Sequence, residues 1–193
     1  MKNIFLFLCI FLSINLLSQN PNVRIMTTEG NIDVEVFIKK APVTATNFLR
    51  YVDNGRYNTH ATFYRVVRMD NQPLNAVKIE VIQGGFENDS IADTRGYATI
   101  IHETTSQTGI AHTSGVISMA RNKPGSASSE FFICINNQPE LDFGGKRNPD
   151  GQGFAAFGKV IKGMDVVKKI QQMKDKQQML LAPVKIISVK RIR

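Results

Sequence analysis

At 193 residues, 42% of them hydrophobic and 21% charged, the chain has enough apolar side chains for one packed core and too few charges for a disordered segment. The net charge of +8 is scattered, and where basic residues gather, at Lys185, Lys190, Arg191 and Arg193, they alternate with apolar residues and no aromatic stands between them. That is the pattern of a strand's solvent face, so no nucleic-acid partner is expected.

Residues 1–18 differ from everything after them. Lys2 supplies a positive start, residues 4–17 are almost wholly apolar, and Ser18-Gln19-Asn20-Pro21 turns abruptly polar, which is the anatomy of a secretory signal peptide. The competing reading is a permanent anchor, but about 14 apolar residues are short for a ~30 Å hydrocarbon core. The expected location is therefore periplasmic or secreted, with membrane contact only through the uncleaved leader. Cys9 stands too early for lipid attachment, and once it is removed Cys134 remains as a single buried, inert thiol with no disulfide partner.

The domain is expected over 22–193, beginning with two alternating segments, 23–28 and 31–37, around Glu29-Gly30, a β-hairpin signal. A helix is expected over 41–55, because Pro42 suits a first turn, Gly55 a C-terminal stop, and Ala45, Phe48, Leu49 and Val52 make one stripe. Phe63-Tyr64-Arg65-Val66-Val67 predicts a strand with an arginine at its centre. On a two-residue period Arg65 shares a face with Phe63 and Val67, and a charge there needs a reason. A polar excursion over 68–75 leads to an extended segment at 77–83 and to Gly84-Gly85, which mark a sharp bend or a close approach of another chain.

Between 86 and 113 the signals are weak. The stretch 115–135 then reads as strand, exposed loop, strand, with apolar runs at 116–120 and 131–135 around ten residues of Arg, Asn, Lys, Pro, Gly, Ser, Ala and Glu. A loop over 143–153 precedes a strand at 154–161, in which Gly158 marks a bulge or corner. A second helix follows at 164–173, burying Val166, Val167, Ile170 and Met173, and a strand at 183–192 closes the chain. About eight closely spaced strands and two helices predict a mainly β fold: a closed eight-stranded antiparallel β-barrel capped by two α-helices in one domain. The chain is expected to act as a monomer.

The usual enzyme constellations are absent from the sequence: no Gly-x-Ser-x-Gly, no phosphate-binding loop, no His-Glu-x-x-His. His60, His102 and His112 fall at no metal-ligand spacing, so no metal is expected and acid–base chemistry lacks support. Phe63-Tyr64-Arg65-Val66-Val67, Gln83-Gly84-Gly85, Gly115-Val116-Ile117-Ser118-Met119-Ala120-Arg121, Phe131-Phe132-Ile133, Leu141-Asp142 and Phe157-Gly158-Lys159-Val160, in that order, resemble the cyclophilin-type peptidyl-prolyl cis–trans isomerases. The resemblance implies an eight-stranded barrel with two helices, no cofactor, and proline-containing polypeptides as partners. It implies that Arg65 is the catalytic cation, that Gln83 orients it and contacts the substrate carbonyl, and that Gly84-Gly85 let the peptide approach. Phe132 matches the floor of the proline pocket, Leu141 a wall, and Ala120 and Arg121 the edge that pairs with the substrate main chain.

The departures are equally specific. Val81 takes part in a pocket wall that in the best-known members is aromatic and methionine, behind a longer insertion over 68–80. Glu130 stands where many members have glutamine, close enough to hold Arg65 or to compensate its charge; Glu140 and Phe154 stand where drug-binding members carry tryptophan and often histidine, so weak cyclosporin inhibition is expected. A catalytically weak peptide-binding or chaperone module on the same fold is the alternative function. A barrel that carries a small ligand is disfavoured because its strand residues are bulky enough to fill it.

Overall fold

The computed structural model describes residues 20–86 and 89–193; the expected leader over 1–18 lies outside them. Its strands are β1 (Asn22–Thr27), β2 (Gly30–Val36), β3 (Ala61–Val67), β4 (Val81–Phe86), β5 (Val116–Met119), β6 (Phe131–Cys134), β7 (Ala155–Lys162), β8 (Asp175–Lys176) and β9 (Met179–Ile192). They run β1-β2-β7-β5-β6-β4-β3-β9, antiparallel throughout, and β1 pairs again with β9 to close the barrel. The two-residue β8 is only a hairpin arm folded back on β9. Eight strands thus form the wall, as the sequence predicts.

Four α-helices occur among the described residues, where two were expected: α1 (Pro42–Asp53), α2 (Asp89–Arg95), α3 (Thr105–Thr108) and α4 (Met164–Gln171). The additional pair lies in the weakly patterned 86–113 region; α3 is a single turn held by a capping box between Thr104 and Gln107. The two expected helices close the barrel. β2 starts where Gly30 packs against Val166 of α4 and leads at its other end into α1, so the helices cover opposite ends. Phe48 of α1 and Val167 and Ile170 of α4 are fully buried in one core with Ile25, Ile32, Phe63, Phe131, Ile133 and Phe157. Phe48 touches Phe131 and Phe157 at ring distances of 5.8 and 5.0 Å, so aromatic packing fills the α1 end.

The bulge expected near Gly158 is present: β5 and β7 slip register between Ile117 and Ser118, opposite Gly158 and Ala156. The last strand starts at Met179 instead of 183 and keeps Lys185, Lys190 and Arg191 exposed, with Arg191 paired to Asp53 at 2.7 Å. A second, smaller apolar cluster lies on the outside of the barrel: Val67, Ile79, Val81, Phe132, Cys134 and Leu141, with Ala120 and Phe154 against it. Strand alternation creates it, since Ile82, Phe131 and Ile133 face inward and their neighbours Val81, Phe132 and Cys134 face outward.

Candidate active site

A bulge in β3 decides where Arg65 goes. Phe63 pairs with Gly84 and Arg65 with Gln83, so two residues of β3 advance against one of β4 and Tyr64 is the extra residue. The phase of the strand shifts there: Phe63 is in the barrel core, whereas Arg65 lies on the outer face with Val67. The shared face predicted for Phe63 and Arg65 is therefore corrected, because the unpaired Tyr64 moves the charge out of the apolar core in which Phe63 is packed. Across the sheet Arg65 is opposite Gln83 and Gln83 is opposite Phe132, which sets cation, amide and apolar floor in one row.

The Arg65 guanidinium is held by two amide oxygens. Nη1 donates to Gln83 Oε1 at 2.9 Å, while Nε at 3.1 Å and Nη2 both donate to Gln178 Oε1. Of the five N–H bonds of an arginine these take three, leaving one on each terminal nitrogen. Burial lowers the Arg65 pKa, with Tyr64 pulling the other way, and no carboxylate among the described residues pairs with it. A cation with unspent donors thus faces a cavity of about 320 Å³.

All nine residues picked out from the sequence, Arg65, Val81, Gln83, Ala120, Arg121, Glu130, Phe132, Leu141 and Phe154, line that cavity. Phe132 is its floor, supported from behind by the buried His112, whose ring stacks on it at 5.9 Å and 16°. His112 is fixed in turn by Asp142 Oδ1 at 2.7 Å and Ser118 Oγ at 3.1 Å. Burial alone would raise the Asp142 carboxyl, but its hydrogen bonds with His112 outweigh this and hold it low. Leu141, Val81 and Ile79 supply aliphatic walls, and Phe154 supplies the aromatic one, meeting Phe132 edge to face at 5.2 Å. Cys134 lies beneath, fully buried, with burial pushing its thiol far up, as expected of an inert cysteine.

Arg121 is tied down by a bidentate pair to Asp150, both contacts 2.8 Å, and by the Gly153 carbonyl; the Arg121 pair, with the Gln152 amide, holds the Asp150 carboxyl down at about 2. The Ala120 amide continues the β5–β6 ladder by donating to the Glu130 carbonyl at 2.8 Å. Ala120 and Arg121 thus carry the chain of β5 past its last ladder residue, Met119, onto the rim of the cavity.

Glu130 does not touch Arg65. Its carboxylate accepts from the Tyr64 hydroxyl at 2.5 Å, from the Phe86 amide at 2.7 Å and from Ser129 Oγ at 3.2 Å. The Tyr64 oxygen accepts from Gln83 Nε2 at 2.7 Å, so a relay runs Glu130, Tyr64, Gln83, Arg65. Burial raises the Glu130 carboxyl to about 7 against the opposing pull of these bonds, and burial with the nearby Glu130 raises the Tyr64 phenol. The room at Gly85 is used inside the molecule: a β-carbon there would collide with the Glu130 carboxylate, and one at Gly84 would meet Phe63 and the Thr62 carbonyl at 2.8 Å. The glycine pair thus makes space for these side chains where an approaching peptide was expected.

Sequence reasoning missed Tyr64, Gln178, Ile79 and Arg147. Gln178 sits with Gln177 in a two-residue hairpin turn between β8 and β9, both at positive φ (72° and 53°), and neither carries the Gly or Asn that announces such a turn. Arg147 enters the cavity from the 143–153 loop, which composition marks only as a loop.

Comparison with known proteins gives a consistent result. Residues 22–191 match the family model described as cyclophilin type peptidyl-prolyl cis-trans isomerase/CLD. The chain is 38% identical over 176 residues to the peptidyl-prolyl cis-trans isomerase of Acinetobacter baylyi, covering 88% of this chain and 85% of that one. It is 35% identical to peptidyl-prolyl cis-trans isomerase B of Escherichia coli, covering 77% and 83%. A crystal structure of a Cryptosporidium parvum cyclophilin type isomerase superposes with a TM-score of 0.67 over 90% of this chain and 98% of that one, at 22% identity. The same protein in the presence of the dipeptide Ala-Pro gives a TM-score of 0.65. In sequence, barrel topology and the row of Arg65, Gln83 and Phe132, this chain belongs to the cyclophilin-type peptidyl-prolyl cis–trans isomerases.

Proposed function

We propose that the chain isomerises X-Pro bonds in exported, partly folded polypeptides, as a monomer, with Arg65 as the catalytic cation. The observation that carries this reading is the pair of unspent Arg65 N–H bonds beside an apolar pocket floored by Phe132. An X-Pro bond resists rotation with a barrier of roughly 18–20 kcal/mol because twisting destroys amide resonance. In the twisted state the prolyl nitrogen becomes pyramidal and regains a lone pair. A donor aimed at that nitrogen binds the twisted state better than the planar one, and no nucleophile is required.

Phe132, Leu141, Val81 and Phe154 enclose the proline ring and strip water from the amide, which favours the less polar twisted form. Gln83 holds Arg65 by its oxygen, and Ala120 and Arg121 align the chain along the sheet edge. That a related fold has been crystallised with Ala-Pro supports a proline-sized occupant for this cavity. The export context rests on the leader-like composition of 1–18, and detection of a mature chain beginning near residue 19 outside the cytoplasm tests it.

Exchange NMR on a short X-Pro peptide tests the chemistry, comparing the domain with its Arg65→Ala variant. Loss of about 100-fold or more in kcat/KM is expected for removal of one transition-state donor. If wild type binds the peptide without accelerating exchange, the fold serves as a peptide-binding module instead.

A further inference from the structure

The cavity contains three guanidinium groups, and their charges are treated differently. Arg121 is neutralised by Asp150. Arg65 is held by two neutral amides, and Arg147 by a neutral amide and a carbonyl: its Nη1 donates to Gln72 Oε1 at 3.0 Å and to the Val77 oxygen at 2.5 Å. The remaining N–H bonds of Arg147 have no partner among the described residues. The nearby carboxylates are occupied elsewhere: Glu80 accepts from Asn136 Nδ2 at 3.2 Å, Glu140 from the Lys146 amide at 2.8 Å, and Glu130 is enclosed by Tyr64, Phe86 and Ser129.

Arg147 is also a built feature. Its amide donates to the Glu140 carbonyl, and its head is anchored to the 68–80 insertion, which Gln72 fixes from inside by donating to the Arg68 and Ile79 carbonyls at 2.7 and 2.8 Å. Gln72 is 1% exposed, so the insertion that displaced the usual pocket wall holds a second cation over the cleft. Burial and then the charge of Arg65 lower the Arg147 pKa, which places the two cations in each other's field. Two like charges facing one half-dry cleft attract an anion more strongly than either alone.

We propose that Arg147, acting with Arg65, forms an anion-recognising subsite beside the proline pocket, so that the preferred substrates carry an acidic residue next to the proline. This rests on the isomerase reading for its meaning but not for its test. The peptides Ala-Ala-Pro-Glu-Ala and Ala-Glu-Pro-Ala-Ala are compared with their Gln counterparts, all N-acetylated and C-amidated so that no terminal carboxylate competes. Binding is read from NMR titration and turnover from exchange.

One of the Glu peptides is expected to bind about fivefold tighter than its Gln counterpart at low salt, with the difference shrinking in ~0.5 M salt. Arg147→Lys keeps the preference and Arg147→Gln reduces it to about one. Equal affinity of Glu and Gln peptides for the wild type, or a preference that survives Arg147→Gln, overturns the proposal. An acidic preference in binding without any acceleration of exchange supports the subsite and overturns the isomerase reading alone.

Discussion

Replacing Glu130 by Gln tests the buried relay behind Arg65. The folded chain holds this carboxyl at about 7 against an ordinary 4.5, because burial disfavours the ionised form. Since the folded state keeps its proton where the unfolded state has lost it, this site's contribution to stability is greatest below about pH 4.5. It falls as pH rises through the folded value, and the loss is complete above about pH 7. At about 1.4 kcal/mol per pH unit, the fall amounts to about 3 kcal/mol. Glutamine has the same shape and does not titrate. Its oxygen can still accept from the Phe86 amide and Ser129, but its amide must donate to Tyr64, which forfeits about 1 kcal/mol of hydrogen bonding. Glu130→Gln is therefore expected to be about 2 kcal/mol more stable than wild type at pH 8, to lose that advantage by pH 5, and to show no pH dependence from this site in urea unfolding. A variant less stable than wild type at pH 8, with the wild-type pH slope intact, would refute the reasoning. It would mean that the carboxylate is ionised throughout and stabilised by its three donors.

Gln178→Gly should relieve about 1 kcal/mol of left-handed strain while removing the oxygen that binds Arg65 Nε and Nη2. Stability within about 1 kcal/mol of wild type with kcat/KM reduced about tenfold is expected, and unchanged turnover would show that Gln83 suffices to hold the cation. Leu141→Ala, at a side chain with no exposed surface, should cost about 2–4 kcal/mol in chemical denaturation and raise KM as the pocket widens. Cyclosporin should inhibit weakly, given Glu140 bonded to Lys146 and Phe154 packed on Phe132 at the pocket rim; a nanomolar inhibition constant would contradict this.

The barrel was legible because its strands alternate and its two closing helices carry clear apolar stripes. Outward-facing Phe132 and Val81 could be assigned to a pocket only through the family pattern, since an apolar strand residue looks the same on either face. The phase of β3 was not legible: a bulge at Tyr64 leaves no mark in a run of five strand-forming residues, yet it decides which side Arg65 takes. The helices over 86–113 were missed because α3 is one turn and α2 seven residues, too short for a periodicity to accumulate. Gln178 contacts Arg65 from 113 residues away, a distance at which no local pattern carries information.

The seam that closes the barrel joins its first strand to its last, pairing Asn22 with Ile192 and Ile25 with Val189. The turn that secures Arg65 lies just before that final strand, and the Gln178 carbonyl also takes the Val66 amide at 2.8 Å. A nascent chain therefore has seven wall strands available while it still lacks both its closing seam and the second of the two amides that hold its cation. Such long-range pairing is the slow part of folding a β-barrel. Enclosure of the core and assembly of the site are thus tied to the arrival of the same few residues, and a ribosome-bound intermediate ending before residue 178 has neither.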